Sequence, residues 1–413
     1  MRPTVSILLG SGFSIPEGIP GVKQLNERLS KIDESEILIH SDQSAIFLKG
    51  QSDPNRFTKR DERFFLQEFL EFYNSDILKK GETFHYETFY DFYSGYLNSR
   101  ENKNAIEGFY KKFNEKHFNG QDGNRDCLNR IIDFNRSFNQ LLASQLHKLK
   151  YFEDVSCSNY PPYDSFLGFL NELMKTHDIK VHSLNHDIFF DWLGRHSRIW
   201  QHFADGYKLE GSPFYGTVSY DFDHLNSKVH KEYYVKLERF VDKFDKPICL
   251  FKLHGSVFNT TVYVTQPKEE WVRLKDNYGV YQFYMEVKDE KTNEHKFEHL
   301  WDEAAPDFLT GTTTKTLSYT KDPYYKNLFK YFENNLLSSE LLVVIGYGFQ
   351  DPGINQYLEK YFLSMQKPMV IIDPYKPAST LLEKYPHTYI GKSVAQVTYP
   401  EYLNIVPKKV QQQ

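Results

Sequence analysis

The sequence has few cysteines and no long hydrophobic run. Its three cysteines, Cys127, Cys157 and Cys249, lie far apart and form no CxxC pair, so neither a disulfide framework nor a zinc ribbon is expected. We interpret the chain as a reduced, cytoplasmic protein. No segment approaches the roughly 20 apolar residues that span a bilayer, and no contact with a membrane is expected. The apolar run at residues 5–9 is too short for a signal peptide.

A strong excess of charge of either sign is also missing. The chain has 50 Lys and Arg against 55 Asp and Glu, a formal charge of −5, and contains no run of five or more basic residues. Because nucleic-acid-binding proteins usually present a basic face or stripe, we expect nucleic acid to be bound only weakly or indirectly. Aromatic residues, in contrast, are abundant: 34 Phe, 30 Tyr and 4 Trp among 413 residues exclude a disordered chain.

Short apolar runs alternate with helical patterns along much of the chain. The predicted strands cover residues 4–9, 179–184, 248–253, 341–345 and 368–373, and helices are predicted near residues 21–32, 163–176 and 323–337. Strands that alternate with helices predict an α/β fold with a Rossmann-like parallel sheet and helices on both faces. Each predicted strand ends in a polar or glycine cluster, and ligands of such sheets bind beyond the carboxyl ends of the strands.

Residues 34–160 interrupt this alternation with charged and aromatic residues at helical spacing. Apolar positions within 62–73 and 126–149 each fit one face of a helix. We interpret this region as a mainly helical insertion, a candidate for self-assembly or partner docking. The predicted organisation is therefore a sheet domain over residues 1–33 and 161–407, the insertion at 34–160 and a disordered tail at 408–413.

Two further segments have an unusual pattern of aromatic residues. Residues 84–96 are so aromatic that they require a burial partner, and the seam between the insertion and the sheet is the simplest one. A platform on which single-stranded nucleic acid stacks is the alternative. Residues 256–320 alternate aromatic and polar residues, which predicts a β-hairpin excursion.

Candidate binding residues follow two of the predicted strands. Gly10, Gly12 and Ser14 form a GxGxS loop after the first strand, which suits either a phosphate cradle or a plain tight turn. Asn185 and Asp187 follow the strand at 179–184. An Asp there can orient a neighbouring amide and an Asn can hold a water or a ribose hydroxyl, although an Asx-turn at the next helix fits equally well.

Histidines and late glycines supply the other candidates. His254 follows the strand at 248–253, where it suits a general base near neutral pH or a structural role. His182 and His186 have the i, i+4 spacing of helical metal ligands, but His182 lies in a predicted strand, so we expect no metal site. The Gly-Tyr-Gly cluster at 346–348 and Asp373 end the last two strands, and an acid in such a place commonly binds adenosine hydroxyls or forms a turn.

Taken in order, the segments LLGSGFSIPEGIP, SLNHD, KLHGS, VVIGYGFQDPGIN and IIDP resemble the sirtuin-like family. The resemblance implies an NAD site on a Rossmann-type sheet. It implies a catalytic Asn and His at Asn185 and His254, supported by Asp187. The NAD contacts that it implies are Gly10, Gly12 and Ser14 at the pyrophosphate, Ile19 and Pro20 at the nicotinamide, Asp373 near the adenosine, and in addition Gly311, Thr312, Gly346, Tyr347 and Gly348.

Differences from the motifs of that family limit which reaction is expected. Deacetylase sirtuins continue GIP with Asp-Phe-Arg and carry a four-cysteine zinc ribbon, whereas Gly21, Val22 and Lys23 follow here and only three cysteines exist. The chain looks like the bacterial antiphage sirtuin-like NAD hydrolases, and is similar to the subunit that assembles with a HerA-type ATPase. This resemblance implies metal-independent hydrolysis of NAD to nicotinamide and ADP-ribose, in a homo-oligomer. A non-catalytic NAD or ADP-ribose sensor and, more remotely, a nuclease subunit are the alternatives.

Overall fold

The computed structural model describes residues 2–39, 45–48, 59–119, 126–146, 160–224, 227–265, 268–276, 280, 282–288, 294–302 and 322–406. The strands are β1 (Thr4–Leu9), β2 (Ile37–Ile39), β3 (Ala45–Phe47), β4 (Asp178–Ser183), β5 (Phe203–Ala204), β6 (Gly206–Lys208), β7 (Phe214–His224), β8 (Ser227–Lys236), β9 (Glu238–Lys243), β10 (Ile248–Lys252), β11 (Asn259–Val264), β12 (Glu270–Lys275), β13 (Phe283–Lys288), β14 (His295–Asp302), β15 (Ser339–Ile345), β16 (Met369–Ile372) and β17 (Thr388–Ile390). The α-helices are α1 (Val22–Leu29), α2 (Arg60–Phe72), α3 (Tyr86–Ser99), α4 (Lys103–Phe118), α5 (Cys127–Leu146), α6 (Asp164–Leu173), α7 (Phe189–His196), α8 (Pro323–Ser338), α9 (Pro352–Tyr361), α10 (Thr380–Lys384) and α11 (Tyr399–Ile405).

Seven parallel strands form the sheet that the sequence predicts. Their order is β17-β16-β15-β1-β4-β10-β5, so β1 lies between β15 and β4. In this register Ile7 is opposite Val343 on one side and Val181 on the other. The order places the carboxyl ends of β1, β4, β10 and β15 next to one another at a single edge of the sheet.

Both faces of this sheet are covered by helices. On one face, alternate residues such as Ile7 and Val181 are buried against helices that include α1, α6 and α7. Leu8 and Val344 point to the opposite face and are buried against α8 and α9. Since side chains alternate between the two faces of a strand, a strand buried on both sides is apolar throughout. The predicted Rossmann-like α/β architecture is confirmed.

A second sheet has eight antiparallel strands in the order β6-β9-β12-β11-β14-β13-β7-β8. It has a core of its own, which includes Val262, Leu274 and Met285. The predicted hairpin excursion corresponds to β11 to β14. Strands β6 to β9 were not predicted, because charged residues occupy many positions of this segment and only one face of an antiparallel sheet has to be apolar.

The helices α2, α3 and α5 pack through a cluster of aromatic rings. Phe89 lies with its ring centroid 5.8 Å from Phe69 and 5.3 Å from Phe138. Phe89, Tyr93 and other rings of the aromatic segment are buried, in the cluster that also covers one face of the parallel sheet. A stacking platform for nucleic acid needs exposed rings, so that alternative is wrong for these side chains. The domain boundaries themselves stay a prediction.

Two remaining sequence predictions concern the tail and the membrane. The tail at 408–413 lies outside the described residues. Within the described part of the chain, no helix combines the length and the apolar character that crossing a bilayer requires.

Candidate active site

A cavity of about 990 Å³ lies beyond the carboxyl ends of β1, β4, β10 and β15. This is the edge at which open parallel sheets bind their ligands, and the volume is in the upper part of the range typical of small-molecule sites. The residues that the sheet side contributes are Gly10, Ser11, Leu184, Asn185, His186, Asp187, His254, Gly346, Tyr347, Gly348, Gln350, Asp351 and Pro352. The structure therefore brings together, around one cavity, residues from four separate segments of the sequence.

The glycines after β1 and β15 allow two backbone segments to cross. The N–H of Gly10 donates to the carbonyl of Ile345 at 2.9 Å, and that of Gly12 donates to Gly346 at 3.0 Å. A Cβ on Gly10 would lie 2.4 Å from the carbonyl oxygen of Gly346, which itself has a φ of +63°. Any side chain here would force the two loops apart. The spacing of these glycines thus has a packing reason, and the predicted phosphate role stays a prediction.

No α-helix begins directly after this loop. Short 3₁₀ turns cover Ser11–Phe13 and Ile15–Glu17, and Gly18 then adopts a φ of 76°. The chain turns back there before α1 starts. Pro20 lines the cavity, whereas Ile19 is 2% exposed and belongs to the hydrophobic core.

Asn185 lies in a hydrogen-bond network that determines its orientation. Its amide nitrogen donates to the carbonyl of Gly10 at 2.9 Å and to the hydroxyl of Ser14 at 3.2 Å. The Ser14 hydroxyl in turn donates to Oδ1 of Asp187 at 3.1 Å. Since an amide has only two hydrogens, the oxygen Oδ1 of Asn185 is the atom that can accept a hydrogen bond from a bound molecule. Ser14 does not line the cavity but supports Asn185 from behind.

Asp187 forms the Asx-turn at the next helix and also supports the amide of Asn185 through Ser14, so it combines the two roles that the sequence left open. Its Oδ1 accepts from the N–H of Phe189 at 2.9 Å, which is an Asx-turn at the start of α7, and it also accepts from Ser14. Burial raises the pKa of this carboxyl group, and the ammonium group of Lys252 acts in the opposite direction.

His254 is 4% exposed in the turn that follows β10, where Gly255 has a φ of 76°. Its Nε2 lies 3.6 Å from Oδ2 of Asp351. The other carboxylate oxygen of Asp351 accepts from the N–H of Ile354 at 3.1 Å and so caps α9. Asp351 was not among the predicted site residues. Its signal in the sequence, an acid next to Pro352, indicates only a helix start.

The cavity wall opposite the sheet comes from residues 73–88 and from Leu146 at the end of α5. The N–H of Tyr86 donates to Oδ1 of Asn26 at 2.9 Å and ties the start of α3 to α1. Burial raises the pKa of Tyr86 well above its ordinary value. Glu82 and Glu87 line this wall. The sequence did not identify these residues, because helical periodicity reports a buried face and not what the end of a helix contacts.

The structure separates the two histidines that share i, i+4 spacing. The ring of His182 is buried between Phe251 and Phe332, at centroid distances of 5.2 and 4.7 Å. Burial lowers its pKa to about 3. His186 instead lines the cavity, with its ring centroid 6.1 Å from that of His254. Among the described residues, no group of three or more His, Cys, Asp or Glu side chains is placed to hold a metal ion.

Four predicted contacts among the described residues do not line the cavity: Gly12, Ser14, Ile19 and Asp373. Asp373 follows β16, and its Oδ1 accepts from the N–H of Tyr375 at 2.8 Å, the bond expected of a turn. Burial raises the pKa of Asp373, but the residue does not line the cavity. Gly311 and Thr312 lie outside the described residues. The NAD contacts predicted for all of these residues stay predictions.

The chain matches a known family model over part of its length. A family model described as a SIR2-like domain matches residues 217–390, a range that includes His254 and Tyr347 but neither Gly10 nor Asn185. No curated protein matches the chain.

The solved structures to which the chain is similar include Sir2 homologues. A Sir2 homologue in complex with NAD has 8% sequence identity and a TM-score of 0.39, over 99% of this chain and 91% of that chain. A Sir2 homologue mutant in complex with 2′-O-acetyl ADP-ribose has 9% identity and a TM-score of 0.37, over 100% of this chain and 94% of the other.

Proposed function

We propose that this chain hydrolyses the bond between nicotinamide and ribose in NAD and releases nicotinamide and ADP-ribose. The observation that carries the proposal is the grouping around one cavity of Asn185 and Asp187, from the loop after β4, with His254, from the loop after β10. The order of the motifs and the SIR2-like match at residues 217–390 support NAD as the substrate.

Bond cleavage places little demand on acid catalysis. The nicotinamide of NAD is cationic, and it becomes neutral when the electron pair of the C1′–N bond moves to the ring nitrogen. Positive charge then develops on the ribose as in an oxocarbenium ion. Glu82, Glu87 and Asp351 line the same cavity, and negative groups near the reacting ribose favour developing positive charge.

Asn185 and His254 would complete the reaction. The oxygen Oδ1 of Asn185 accepts a hydrogen bond from the attacking water or from a ribose hydroxyl and holds it in place. His254 takes the proton that the water loses as its oxygen bonds to C1′. Asp351, 3.6 Å from Nε2 of His254, stabilises the imidazolium that forms. Water thus supplies OH to the ribose and a proton to the histidine, and the two products leave without any metal.

The sequence resemblance extends the proposal to a biological role. We infer that the reaction depletes NAD in the cytoplasm during antiphage defence, and that the chain acts as a homo-oligomer. We also infer that a HerA-type ATPase is its partner and activator. Unregulated NAD hydrolysis would harm the host, which is the physical reason to expect an activating partner.

The test is to incubate the purified chain with NAD and a chelator and to resolve the products by chromatography. We expect nicotinamide and ADP-ribose from the wild type. In Asn185→Ala and His254→Ala we expect turnover to fall by at least about 100-fold. His295→Ala is the matched control, because that side chain is 59% exposed on the antiparallel sheet, and it should keep wild-type turnover.

Three outcomes would count against the proposal. Full turnover in either site variant would refute the assignment, and loss of turnover on chelation would point to metal chemistry such as that of a nuclease. NAD binding without product, alone and with a HerA-type ATPase, would favour the sensor alternative.

A further inference from the structure

Lys252 is a buried lysine that does not line the cavity. It is the last residue of β10, it is 7% exposed, and it lies two residues before His254. Its ammonium group donates to the main-chain carbonyl of Asp187 and lies 3.5 Å from Oδ2 of Asp191. A buried ammonium group is retained only where it is paired and hydrogen-bonded, so its partners define what it does.

Further charges hold Asp191 in place. Lys275 of β12 lies 2.5 Å from Oδ1 of Asp191 and 2.6 Å from Oδ2 of Asp205. Arg195 of α7 lies 2.6 Å from Oδ2 of Asp205. Burial alone would lower the pKa of Lys275, but Asp191 and Asp205 raise it. Asp191 is therefore shared between two ammonium groups, one from each large sheet.

We propose that Lys252 is a positioning residue, whose ammonium group fixes the loop at residues 185–187 and thereby the direction in which Asn185 presents its Oδ1. The inference rests on the proposed function, because it assigns Lys252 a role in the same site. The contacts run in sequence from Lys252 to Asp187, from Asp187 to the Ser14 hydroxyl, and from Ser14 to the amide of Asn185.

The charge of Lys252 matters as well as its hydrogen bond. Asp187 is faced by Lys252 from β10, by Asp191 from α7 and by Tyr163 from the turn before α6. Burial raises the pKa of Asp187, Asp191 raises it further, and Lys252 lowers it. Without this lysine Asp187 would hold its proton to higher pH. A protonated Asp187 can donate to Ser14 instead of accepting, and the network then ceases to determine the orientation of Asn185.

The experiment compares the wild type with Lys252→Met by two readouts. The first is the titration of the Asp187 carboxyl carbon by NMR, which does not depend on activity. We expect its midpoint to rise by about one pH unit or more in the variant. The second is NAD hydrolysis against pH, where we expect kcat near neutral pH to fall about 10- to 100-fold. The acid limb should shift upward, and KM should change by less than about threefold.

Two further variants separate charge from fold. Lys180→Met is the matched control, since Lys180 lies on β4 at 3.5 Å from the sulfur of Cys249 and makes no contact with Asp187; it should leave both readouts unchanged. Lys252→Gln keeps a donor for the Asp187 carbonyl but removes the charge, and it serves if Lys252→Met fails to fold. It should raise the Asp187 midpoint in the same way.

An Asp187 midpoint that stays at the wild-type pH in the folded Lys252 variant would overturn the positioning role. If the wild type itself does not cleave NAD, the proposed function fails, but the titration still decides whether Lys252 controls Asp187. The two failures are therefore distinguishable.

Discussion

The two large sheets differ in how many of their faces are buried. Every residue of β10 is buried, as is nearly every residue of β15, because helices cover both sides of the parallel sheet. In the antiparallel sheet, buried and more accessible residues alternate along β13, and Tyr234 and Phe297 stack on the accessible face with a centroid distance of 4.6 Å. The parallel sheet forms the cavity edge, while Lys275 of the antiparallel sheet pairs with Asp191, which Lys252 of the parallel sheet also contacts. A sheet with a free face can thus still support a site that another sheet forms.

The largest loss of stability is expected when the ion pairs that join the two sheets through Asp191 are broken. Lys275→Met removes the cation that Asp191 and Asp205 share. Lys252 and Arg195 stay beside these carboxylates, but the two buried negative charges lose part of their compensation, which is strongly destabilising. We expect the free energy of unfolding to fall by about 3–5 kcal/mol, measured by urea denaturation. The double variant Lys275→Met with Asp205→Asn should recover part of this loss, because Arg195 keeps Glu238 as a partner. An additive double variant would show that the pair is not coupled.

The second prediction compares the loss of stability at a buried position of the parallel sheet with that at an accessible position of the antiparallel sheet. Leu342 of β15 is fully buried, whereas Phe297 of β14 is 41% exposed. Leu342→Ala should lower the free energy of unfolding by about 2–5 kcal/mol, because it leaves a cavity in a packed core. Phe297→Ala should change it by about 0.5 kcal/mol or less. Equal losses in urea denaturation would mean that the accessible face of the antiparallel sheet is covered in solution.

The effect that is smallest at neutral pH concerns a polar residue inside the parallel sheet, His182. The pKa of His182 falls from its ordinary 6.5 to about 3 because of burial, so the folded protein keeps this ring neutral. As pH falls below 6.5, the unfolded chain takes up a proton that the folded chain does not, and stability decreases until pH reaches about 3. The slope is about 1.4 kcal/mol per pH unit.

His182→Phe should remove this contribution. Its unfolding free energy should match or exceed that of the wild type at pH 7, and the advantage should grow between pH 6 and pH 4. Thermal or urea unfolding at several pH values would measure it, and parallel curves for the two proteins would contradict the neutral buried ring.

Much of the parallel sheet was visible in the sequence because a strand buried on both faces is an unbroken apolar run. The same rule located Asn185 and His254, since polar residues directly after such runs meet at one edge. Asp351 and Glu87 could not be located in this way. One starts α9 and the other starts α3, and only the packing of those helices places the two residues at the cavity. The crossing of Gly10 and Gly346 is also a contact between distant segments, which local patterns do not report.

The pairing of β1 with β15 has a consequence for synthesis. The hydroxyls of Ser6 and Ser339 lie 2.8 Å apart, yet 333 residues separate them in the chain. At roughly 5–20 residues per second, β1 leaves the ribosome on the order of 20–70 seconds before β15 has been synthesised. The cavity therefore cannot form on a nascent chain that lacks β15. A protein whose proposed activity is toxic thus completes its site only after residues 339–345 have been translated.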